Sequence, residues 1–284
     1  MAVKSPHTLR KQARKSFVFW PCLYQRLDPC LDIDWRSMGT FVGYFFRLSK
    51  MPPSPAEMPE NEANPQTQDQ LSLNPWEAAY LRYESPEEEI RKFIRRLTRL
   101  GAPQWPRDAE IVELFCGRGN GLIALQRLGF TRLEGVDLSP RLLAQFKGSA
   151  KCTVADCRRL PFADRSKDVL IVQGGLHHLP ALPAALDQTF SEMQRVLRTN
   201  GRVMFVEPWR TPFLTFVHFI SEISVVRHIS SKMDAFATMT EHEIRTYEQW
   251  LGQPVLIKKI ARAHFLPVHE SFAWGKWNFV GTPR

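Results

Sequence analysis

The sequence predicts an α/β fold: a mostly parallel sheet with helices on both faces and an antiparallel edge at its C-terminal end. From residue 85 onward, short apolar runs alternate with segments of helical length. A glycine-rich turn joins the first of these runs to the helix that follows it, and the last two strand-like segments have no helix between them. Alternating strands and helices are typical of right-handed βαβ units, whose strands lie parallel in one sheet.

The first regular element is a helix that begins at Ser85. This N-cap residue is followed by Pro86 and by acidic residues, which favour the positive end of the helix dipole. Apolar residues then recur at helical spacing until Gly101, which ends the helix. Strands are predicted at residues 110–115, 132–137, 151–155, 168–172 and 202–207, with helices at residues 120–128, from residue 139, and at residues 182–197.

The C-terminal part of the chain follows a different pattern. After a predicted helix at residues 241–251, residues 255–263 and 272–281 are interpreted as two strands that pair antiparallel at the sheet edge. Residues 209–240 form an insertion with many large apolar side chains, which as a helix would be apolar nearly all round. We interpret this insertion as a lid over a substrate pocket. The alternative is a structural helix that covers the sheet edge.

The net charge of +9 is concentrated near the N-terminus. Residues 1–50 contain nine of the 38 Lys and Arg residues but three of the 29 Asp and Glu residues, so the rest of the chain carries only +3. A nucleic-acid-binding domain would carry its charge throughout or along one face, and the composition therefore argues against a nucleic-acid partner. Residues 1–75 are predicted to be a basic head and a Pro- and acid-rich linker, largely disordered, with the folded domain at residues 76–284.

Two further classes of structure are not supported by the sequence. No apolar run approaches the roughly 20 residues that a membrane-spanning helix needs, although a peripheral membrane contact stays compatible with the composition. The five cysteines are odd in number, irregularly spaced and lack a C-x-x-C pair, which indicates neither a disulfide framework nor a metal site. We therefore predict a reducing, cytoplasmic location.

The strongest functional signal is the segment from Glu113 to Gly121, which runs from the first strand of the sheet into a helix. Its glycines allow a tight turn and a close backbone approach to a ligand at the helix N-terminus. It is not the dinucleotide fingerprint, because Leu122 stands where the third glycine belongs. Asp137 ends the second strand and Asp156 follows the third, at the carboxyl ends where open α/β sheets bind ligands.

Together with Leu176-His177-His178-Leu179 and Asn278-Phe279-Val280-Gly281, these motifs resemble the class I S-adenosylmethionine-dependent methyltransferases, in particular the small-molecule type with a His-His-Leu element after strand 4. The resemblance covers about residues 86–283. It implies a Rossmann-like sheet of seven strands, S-adenosylmethionine as cofactor and a small-molecule methyl acceptor as partner.

The resemblance also implies which residues contact the cofactor. Gly117 and Gly119 would pass close to its methionine part, with Glu113 near the ammonium group. Asp137 would hold the ribose, and Asp156 with the backbone at Cys157 would hold the adenine. The full expected set is Glu113, Gly117, Gly119, Gly121, Asp137, Leu138, Asp156, Cys157 and Gln173. Phe115 and Arg118 depart from the family pattern, which often has glycine and a small residue at these positions.

Each acidic residue of this set also has a purely structural interpretation. Asp137 could serve only as a cap for the helix that begins near Ser139. Asp156 could be a solvated turn residue, and Glu113 an ordinary acid near the surface.

Candidate catalytic residues lie after the predicted strand at residues 168–172 and at the end of the predicted strand at residues 202–207. A hydroxyl acceptor needs a base with a pKa near the working pH, whereas an amine, thiolate or carbanion needs little more than alignment. His177 and His178 lie at the ligand edge of the sheet and are the first candidates, and Glu207 is the second. The same histidines could instead begin a helix, and Glu207 could merely line the pocket.

The apolar insertion predicts an acceptor that is itself apolar or aromatic, such as a quinone-like, phenolic or lipid-like molecule. Two other functions stay open: an RNA or protein methyltransferase that uses the basic head, and a non-catalytic cofactor-binding scaffold. Trp76, Tyr80 and Tyr83, upstream of the first helix, either close over the cofactor or belong to the core.

Overall fold

The structure of the protein is a computed structural model that describes residues 74–284, which belong to one compact unit. The basic head and nearly all of the linker lie outside the described residues, so their disorder stays a prediction. None of the helices in residues 74–284 has the length and apolar character needed to cross a membrane.

The described chain contains ten α-helices and seven strands. The helices are α1 (Pro75–Tyr83), α2 (Pro86–Arg99), α3 (Asn120–Arg127), α4 (Pro140–Leu143), α5 (Ala184–Val196), α6 (Pro212–Ser221), α7 (Ser224–Ile229), α8 (Ser231–His242), α9 (Ile244–Gly252) and α10 (Pro254–His264). The strands are β1 (Ile111–Leu114), β2 (Leu133–Asp137), β3 (Lys151–Val154), β4 (Lys167–Gln173), β5 (Leu197–Pro208), β6 (Phe265–Ala273) and β7 (Lys276–Pro283). Short 3-10 helices lie at Ala102–Gln104 and Leu176–His178.

The seven strands form one sheet in the order β3-β2-β1-β4-β5-β7-β6. Strands β1 to β5 are parallel, whereas β7 runs antiparallel to both β5 and β6. The strand order reverses between β1 and β4, and open α/β sheets bind ligands in the crevice outside the carboxyl ends at such a switch point. The predicted Rossmann-like sheet with an antiparallel C-terminal edge is confirmed.

The core lies on both faces of the sheet, because alternate residues of a strand point to opposite faces. In β4, Leu170 and Val172 pack into the cluster under α5, α9 and α10, whereas Val169 and Ile171 pack into the cluster under α2 and α3. All four side chains are buried, and burial of an aliphatic side chain of this size contributes about 1.5–3 kcal/mol. The carboxyl ends of the central strands are therefore held rigidly.

The helix predicted at Ser85 is present as α2. The Ser85 and Glu88 side chains form a reciprocal capping box, in which each accepts a hydrogen bond from the backbone N–H of the other residue. The apolar face of α2, including Ile90 and Leu97, is buried against the sheet.

The prediction of a strand at residues 255–263 is wrong, because this segment forms helix α10. Pro254 stands at its first turn, and the buried side chains Ile257, Ile260 and Ala261 recur at helical spacing. The strand predicted at residues 272–281 is also wrong as one element, because β6 and β7 turn at Trp274 and Gly275 within it.

The insertion at residues 209–240 forms helices α6 and α7 and most of α8. Helix α8 packs against α1, where Arg82 and Asp234 form an ion pair at 3.3 Å and the rings of Tyr83 and Phe236 lie 6.4 Å apart. Helices α6 and α7 carry exposed apolar side chains on their outer surface: Phe216, Phe219, Val225 and Ile229.

Candidate functional site

A cavity of about 1120 Å³ lies over the carboxyl ends of β1, β2 and β4. Most of the predicted site residues line it: Glu113, Gly117, Asp137, Leu138, Asp156, Cys157, Gln173, His177 and His178. Gly119, Gly121 and Glu207 are not among the lining residues. The volume is slightly above the roughly 300–1,000 Å³ of a typical pocket for one small ligand.

The glycine-rich turn after β1 is connected to β2 through a hydrogen bond from a backbone N–H to a side chain. The N–H of Gly117 donates to Asp137 Oδ2 at 2.7 Å. Gly119 has a φ of +76°, and a Cβ atom there would lie 2.2 Å from the Phe146 ring. Only glycine satisfies both conditions, so this residue type is required by the turn itself.

Phe115 also adopts a left-handed conformation, with a φ of +55°. Its ring covers Gly175, where an added Cβ atom would lie 2.3 Å from the ring. Family members often have glycine at the position of Phe115. The large residue Phe115 adopts the left-handed backbone conformation that is typical of glycine. The ring forms part of the cavity wall.

Arg118, the second departure from the family pattern, is not among the cavity-lining residues. It is 6% exposed and forms an ion pair with the buried carboxylate of Glu89 at 2.9 Å. Glu89 also accepts hydrogen bonds from Asn120 at 2.7 Å and from the Tyr80 hydroxyl at 3.2 Å. This network fastens α1 and α2 to the beginning of α3.

Glu113 reaches the cavity from inside the sheet and is 2% exposed. Gln173 donates a hydrogen bond to its Oε1 at 3.0 Å, but the buried Oε2 has no hydrogen-bond partner in the described structure. Burial raises the pKa of Glu113 to about 8. A buried carboxylate with one oxygen left without a partner is the arrangement that a cationic group of a ligand would stabilise.

Asp137 combines a structural and a ligand-facing position. Its Oδ2 accepts from Gly117, and its Oδ1 accepts from the N–H of Ser139 at 2.8 Å. The side chain of Ser139, not that of Asp137, caps helix α4. Each carboxylate oxygen can accept a further hydrogen bond, and the carboxylate lines the cavity.

Asp156 lies at the far end of the same cavity. It pairs with the Arg158 guanidinium at 2.6 Å, and hydrogen bonds from that group hold its pKa below the usual range. Leu138 lines the same cavity and is 62% exposed, an unusual exposure for a leucine in a cavity wall. The Cys157 thiol is buried, and burial raises its pKa to about 11, so this thiol stays neutral.

His177 and Glu207 form a buried pair where β4 and β5 end. His177 Nδ1 lies 2.8 Å from Glu207 Oε2, while Glu207 Oε1 accepts from the N–H groups of Gly175 at 2.8 Å and Leu176 at 2.9 Å. Glu207 is fully buried, does not line the cavity, and contacts the lining residue His177. It therefore orients the turn and the ring of His177.

Glu243 completes a cluster that the sequence analysis missed. Its Oε1 lies 3.7 Å from His177 Nε2, and its Oε2 lies 2.6 Å from His178 Nδ1 and accepts from Trp76 Nε1 at 3.1 Å. Burial opposes charge on His177, but the carboxylates of Glu207 and Glu243 raise its pKa to about 9. Glu243 lies between α8 and α9, remote in sequence from the histidines, and no local motif marks it.

The wall around this cluster is largely apolar. The insertion contributes Leu214, Phe236 and Met239 to the cavity, and α9 contributes Tyr247. Trp76, whose ring stands edge-on to His178 at 5.2 Å, covers the cluster from α1. The site thus combines polar groups at the strand ends with an apolar compartment under helices α6 and α8.

Comparison with known proteins gives consistent results. Residues 112–205 match the model of the methyltransferase domain family. The chain is 30% identical over 176 residues to the ubiquinone/menaquinone biosynthesis C-methyltransferase UbiE of Rubrivivax gelatinosus, a match that covers 59% of this chain and 67% of that protein. It is 29% identical over 179 residues to a demethylmenaquinone methyltransferase of Mycobacterium marinum, covering 61% and 73% of the two chains.

Among solved structures, the PH0226 protein from Pyrococcus horikoshii OT3 is similar, with a TM-score of 0.57 and 19% sequence identity. The superposition covers 75% of this chain and all of that chain. At this level of identity the likeness supports the fold alone.

Proposed function

This chain belongs to the class I S-adenosylmethionine-dependent methyltransferases, and from that premise we propose that it methylates a small apolar or aromatic molecule of the quinone-like or phenolic type. The observation that carries this proposal is the His177–His178–Glu243 cluster, which shares one cavity with the glycine-rich turn and faces an apolar compartment. The matched relatives named for ubiquinone and menaquinone synthesis support an acceptor of the same chemical class.

The residues at the strand ends fit the cofactor. The Glu113 carboxylate, whose Oε2 has no hydrogen-bond partner, would pair with its ammonium group, and the free acceptor capacity of Asp137 would hold the ribose hydroxyls. Leu138 would pack on the adenine, with Asp156 and the Cys157 backbone at its edge. When bound, the cofactor supplies a methyl group already activated as a sulfonium.

The chain's own residues position the acceptor and stabilise charge on it. A hydroxylated aromatic ring reacts faster as its anion, and two imidazole rings in a largely apolar wall can offer hydrogen bonds to that oxygen. His177 and His178 are therefore proposed as catalytic residues. Glu207 is proposed as a positioning residue, because it acts through His177 from behind the wall.

The insertion is proposed to act as a lid that excludes water from the reacting groups, with Phe236 and Leu214 on its inner side. The exposed Phe216 and Phe219 on its outer side are where a peripheral membrane contact, which stays a prediction, would lie. The alternative RNA or protein acceptor rests on the basic head, which lies outside the described residues.

A transfer assay with methyl-labelled S-adenosylmethionine tests the acceptor class. The full chain should label reduced hydroxynaphthoquinones or phenols that carry an apolar chain, and should not label RNA or a protein mixture. His178→Ala should lower kcat about 10²-fold or more, because it removes a group that stabilises the reacting anion. Label that enters only RNA or protein would overturn the proposal.

A matched pair of variants tests the apolar compartment. Phe236→Ala removes an inner side chain of the lid and should raise KM for the apolar acceptor at least about tenfold. Phe219→Ala removes an outer side chain that is 64% exposed, and it should leave KM within about twofold. Equal effects of the two variants would contradict the proposed position of the acceptor.

A further inference from the structure

Three side chains that can ligate a metal converge in the cavity. His177 Nε2, His178 Nδ1 and a carboxylate oxygen of Glu243 all lie within 4.8 Å of one another. The two closest contacts involve Glu243, at 2.6 Å to His178 and 3.7 Å to His177. Small side-chain rotations would bring these atoms around one ion, since bonds from Zn²⁺ to nitrogen and oxygen ligands are about 2.0–2.2 Å long.

A second set of contacts fixes the orientation of these groups. Because a carboxylate only accepts hydrogen bonds, the 2.8 Å contact with Glu207 places a proton on His177 Nδ1 and makes Nε2 the nitrogen that can ligate a metal. A metal ion would displace the protons that His177 Nε2 and His178 Nδ1 direct toward Glu243. Trp76 Nε1 in turn holds the Glu243 carboxylate. A carboxylate behind a histidine is the arrangement that orients ligating histidines in metal sites.

The charges of the site also call for a cation. Within residues 74–284, the ion pairs of Glu207 and Glu243 are with histidine alone. The Glu207 side chain is fully buried and that of Glu243 is 14% exposed. Buried carboxylates are costly without a compensating positive charge, which protonated histidine can supply and which a divalent ion in place of the histidine protons would also supply.

We propose that His177, His178 and Glu243 form a binding site for one divalent transition metal ion of the Zn²⁺ type, with Glu207 as the residue that orients His177. Two imidazoles and one carboxylate suit Zn²⁺ or Fe²⁺, whereas Mg²⁺ and Ca²⁺ prefer oxygen ligands. Three protein ligands leave coordination positions open toward the cavity, where the ion would hold the oxygen of the acceptor. That role rests on the proposed function; the binding of the ion does not.

Calorimetric titration of the chelator-treated full chain with Zn²⁺ alone tests the site. The wild-type chain should bind one ion that excess Mg²⁺ does not displace, and His178→Ala and Glu243→Gln should each weaken this binding at least tenfold. His264→Ala, which alters a histidine paired with Asp187 elsewhere, should bind as the wild type does. Zn²⁺ binding that is absent from the wild type, or unchanged in both site variants, would overturn the proposal.

A spectroscopic readout covers the case in which a site variant does not fold. Co²⁺ in the folded wild-type chain should give visible d–d bands that grow until one equivalent is bound. Glu207→Gln keeps an oxygen for the backbone N–H groups but alters the partner of His177, and it should weaken metal binding about 10–100-fold. If this folded variant gives d–d bands of equal strength and binds Co²⁺ with equal affinity, the orienting role of Glu207 is contradicted.

Two titrations separate this inference from the proposed function. Asp137→Ala should lose S-adenosylmethionine and still bind Zn²⁺, whereas Glu243→Gln should lose Zn²⁺ and still bind S-adenosylmethionine. If the wild type binds Zn²⁺ but methylates none of the acceptors, the metal site stands and the proposed function fails. If methylation proceeds equally in Glu243→Gln without Zn²⁺, the role given to the ion fails.

Discussion

The Glu207 carboxylate lies 2.8 Å from Nδ1 of His177, with one of its own oxygens held by two backbone N–H groups. This relationship joins the end of β5 to the turn after β4. The turn carries the histidines into the cavity, so a fully buried residue determines the geometry of residues that line the cavity.

Removal of this carboxylate should therefore destabilise the whole domain. Glu207→Ala leaves a buried imidazole and two backbone N–H groups without their partner, and the free energy of unfolding should fall by about 3–5 kcal/mol. Glu241→Ala is the control, because Glu241 forms an ion pair at the surface with a side chain that is 59% exposed. Its loss should cost less than about 1 kcal/mol in urea-induced unfolding. Equal midpoints for the two variants would contradict the structural role of Glu207.

The ion pair of Arg118 with Glu89 should also be far more sensitive than a surface pair of the same type. Both side chains are buried, and Arg118→Met should destabilise the domain by about 3–5 kcal/mol because the Glu89 charge is left without compensation. Arg127→Met breaks the ion pair between Arg127 and Glu87, whose side chains are 45% and 54% exposed, and should leave the stability almost unchanged. Thermal unfolding of the two variants side by side measures the difference. A similarly small loss of stability in both variants would show that the buried network contributes little to the stability of the domain.

The two departures from the family pattern show what the sequence could and could not predict. Glycine and a small residue are usual where Phe115 and Arg118 stand, and the motif does not indicate where the larger side chains lie. In the structure, Phe115 keeps a left-handed backbone and covers Gly175 with its ring in the cavity wall, while Arg118 turns toward Glu89. Side-chain direction at a tight turn depends on neighbours from other elements, and a local motif does not contain them.

The wrong strand at residues 255–263 has a different cause. Its β-branched and apolar residues favour a strand, but the buried positions Ile257, Ile260 and Ala261 follow the helical period. Glu243 was missed because its histidine partners lie on a different element. By contrast, strands β1 to β5, the helices that follow β1, β2 and β4, and the position of the acids at the strand ends depend on local patterns and were predicted correctly.

Substitution of Gly119 should be costly, whereas substitution of Gly252 should not. Gly119→Ala forces a side chain into a left-handed conformation and against Phe146, so it should cost at least about 1–2 kcal/mol and weaken cofactor binding. A Cβ atom at Gly252 would meet nothing within 4 Å, and alanine there should be neutral or stabilising by about 0.5–1 kcal/mol. Urea-induced unfolding and calorimetric titration measure both effects. A Gly119→Ala variant with the stability and the cofactor affinity of the wild type would contradict the requirement for glycine in the turn.

Cofactor binding should release a proton from Glu113 below pH 8. Burial raises the pKa of this residue from 4.5 to about 8 in the free protein, so its carboxyl group is neutral at pH 6.5. Pairing with an ammonium group requires the anion, and affinity should therefore increase as the pH rises from 6 toward 8. Calorimetry in two buffers of different ionisation enthalpy measures the released proton, and Glu113→Gln should abolish the release. An unchanged release in that variant would assign the proton to another group.

The same shift has the opposite sign for folding. Because the folded-state pKa of Glu113 lies above its ordinary value of 4.5, its neutral form contributes stability that is complete below pH 4.5. That contribution is lost as the pH rises through about 8. The difference in thermal stability between the wild type and Glu113→Gln should therefore change over this range, and a difference independent of pH would contradict the raised pKa.

The most direct test of the central claim is calorimetric titration of S-adenosylmethionine into the full chain and into Asp137→Ala. Asp108→Ala is the matched control, because Asp108 is exposed and precedes β1 at the opposite end of the sheet. The account predicts saturable binding to the wild type and to Asp108→Ala, and loss of most of the affinity in Asp137→Ala. Binding that is unaffected in a folded Asp137→Ala, or absent from all three proteins, would contradict the assignment of the strand-end cavity as the cofactor site.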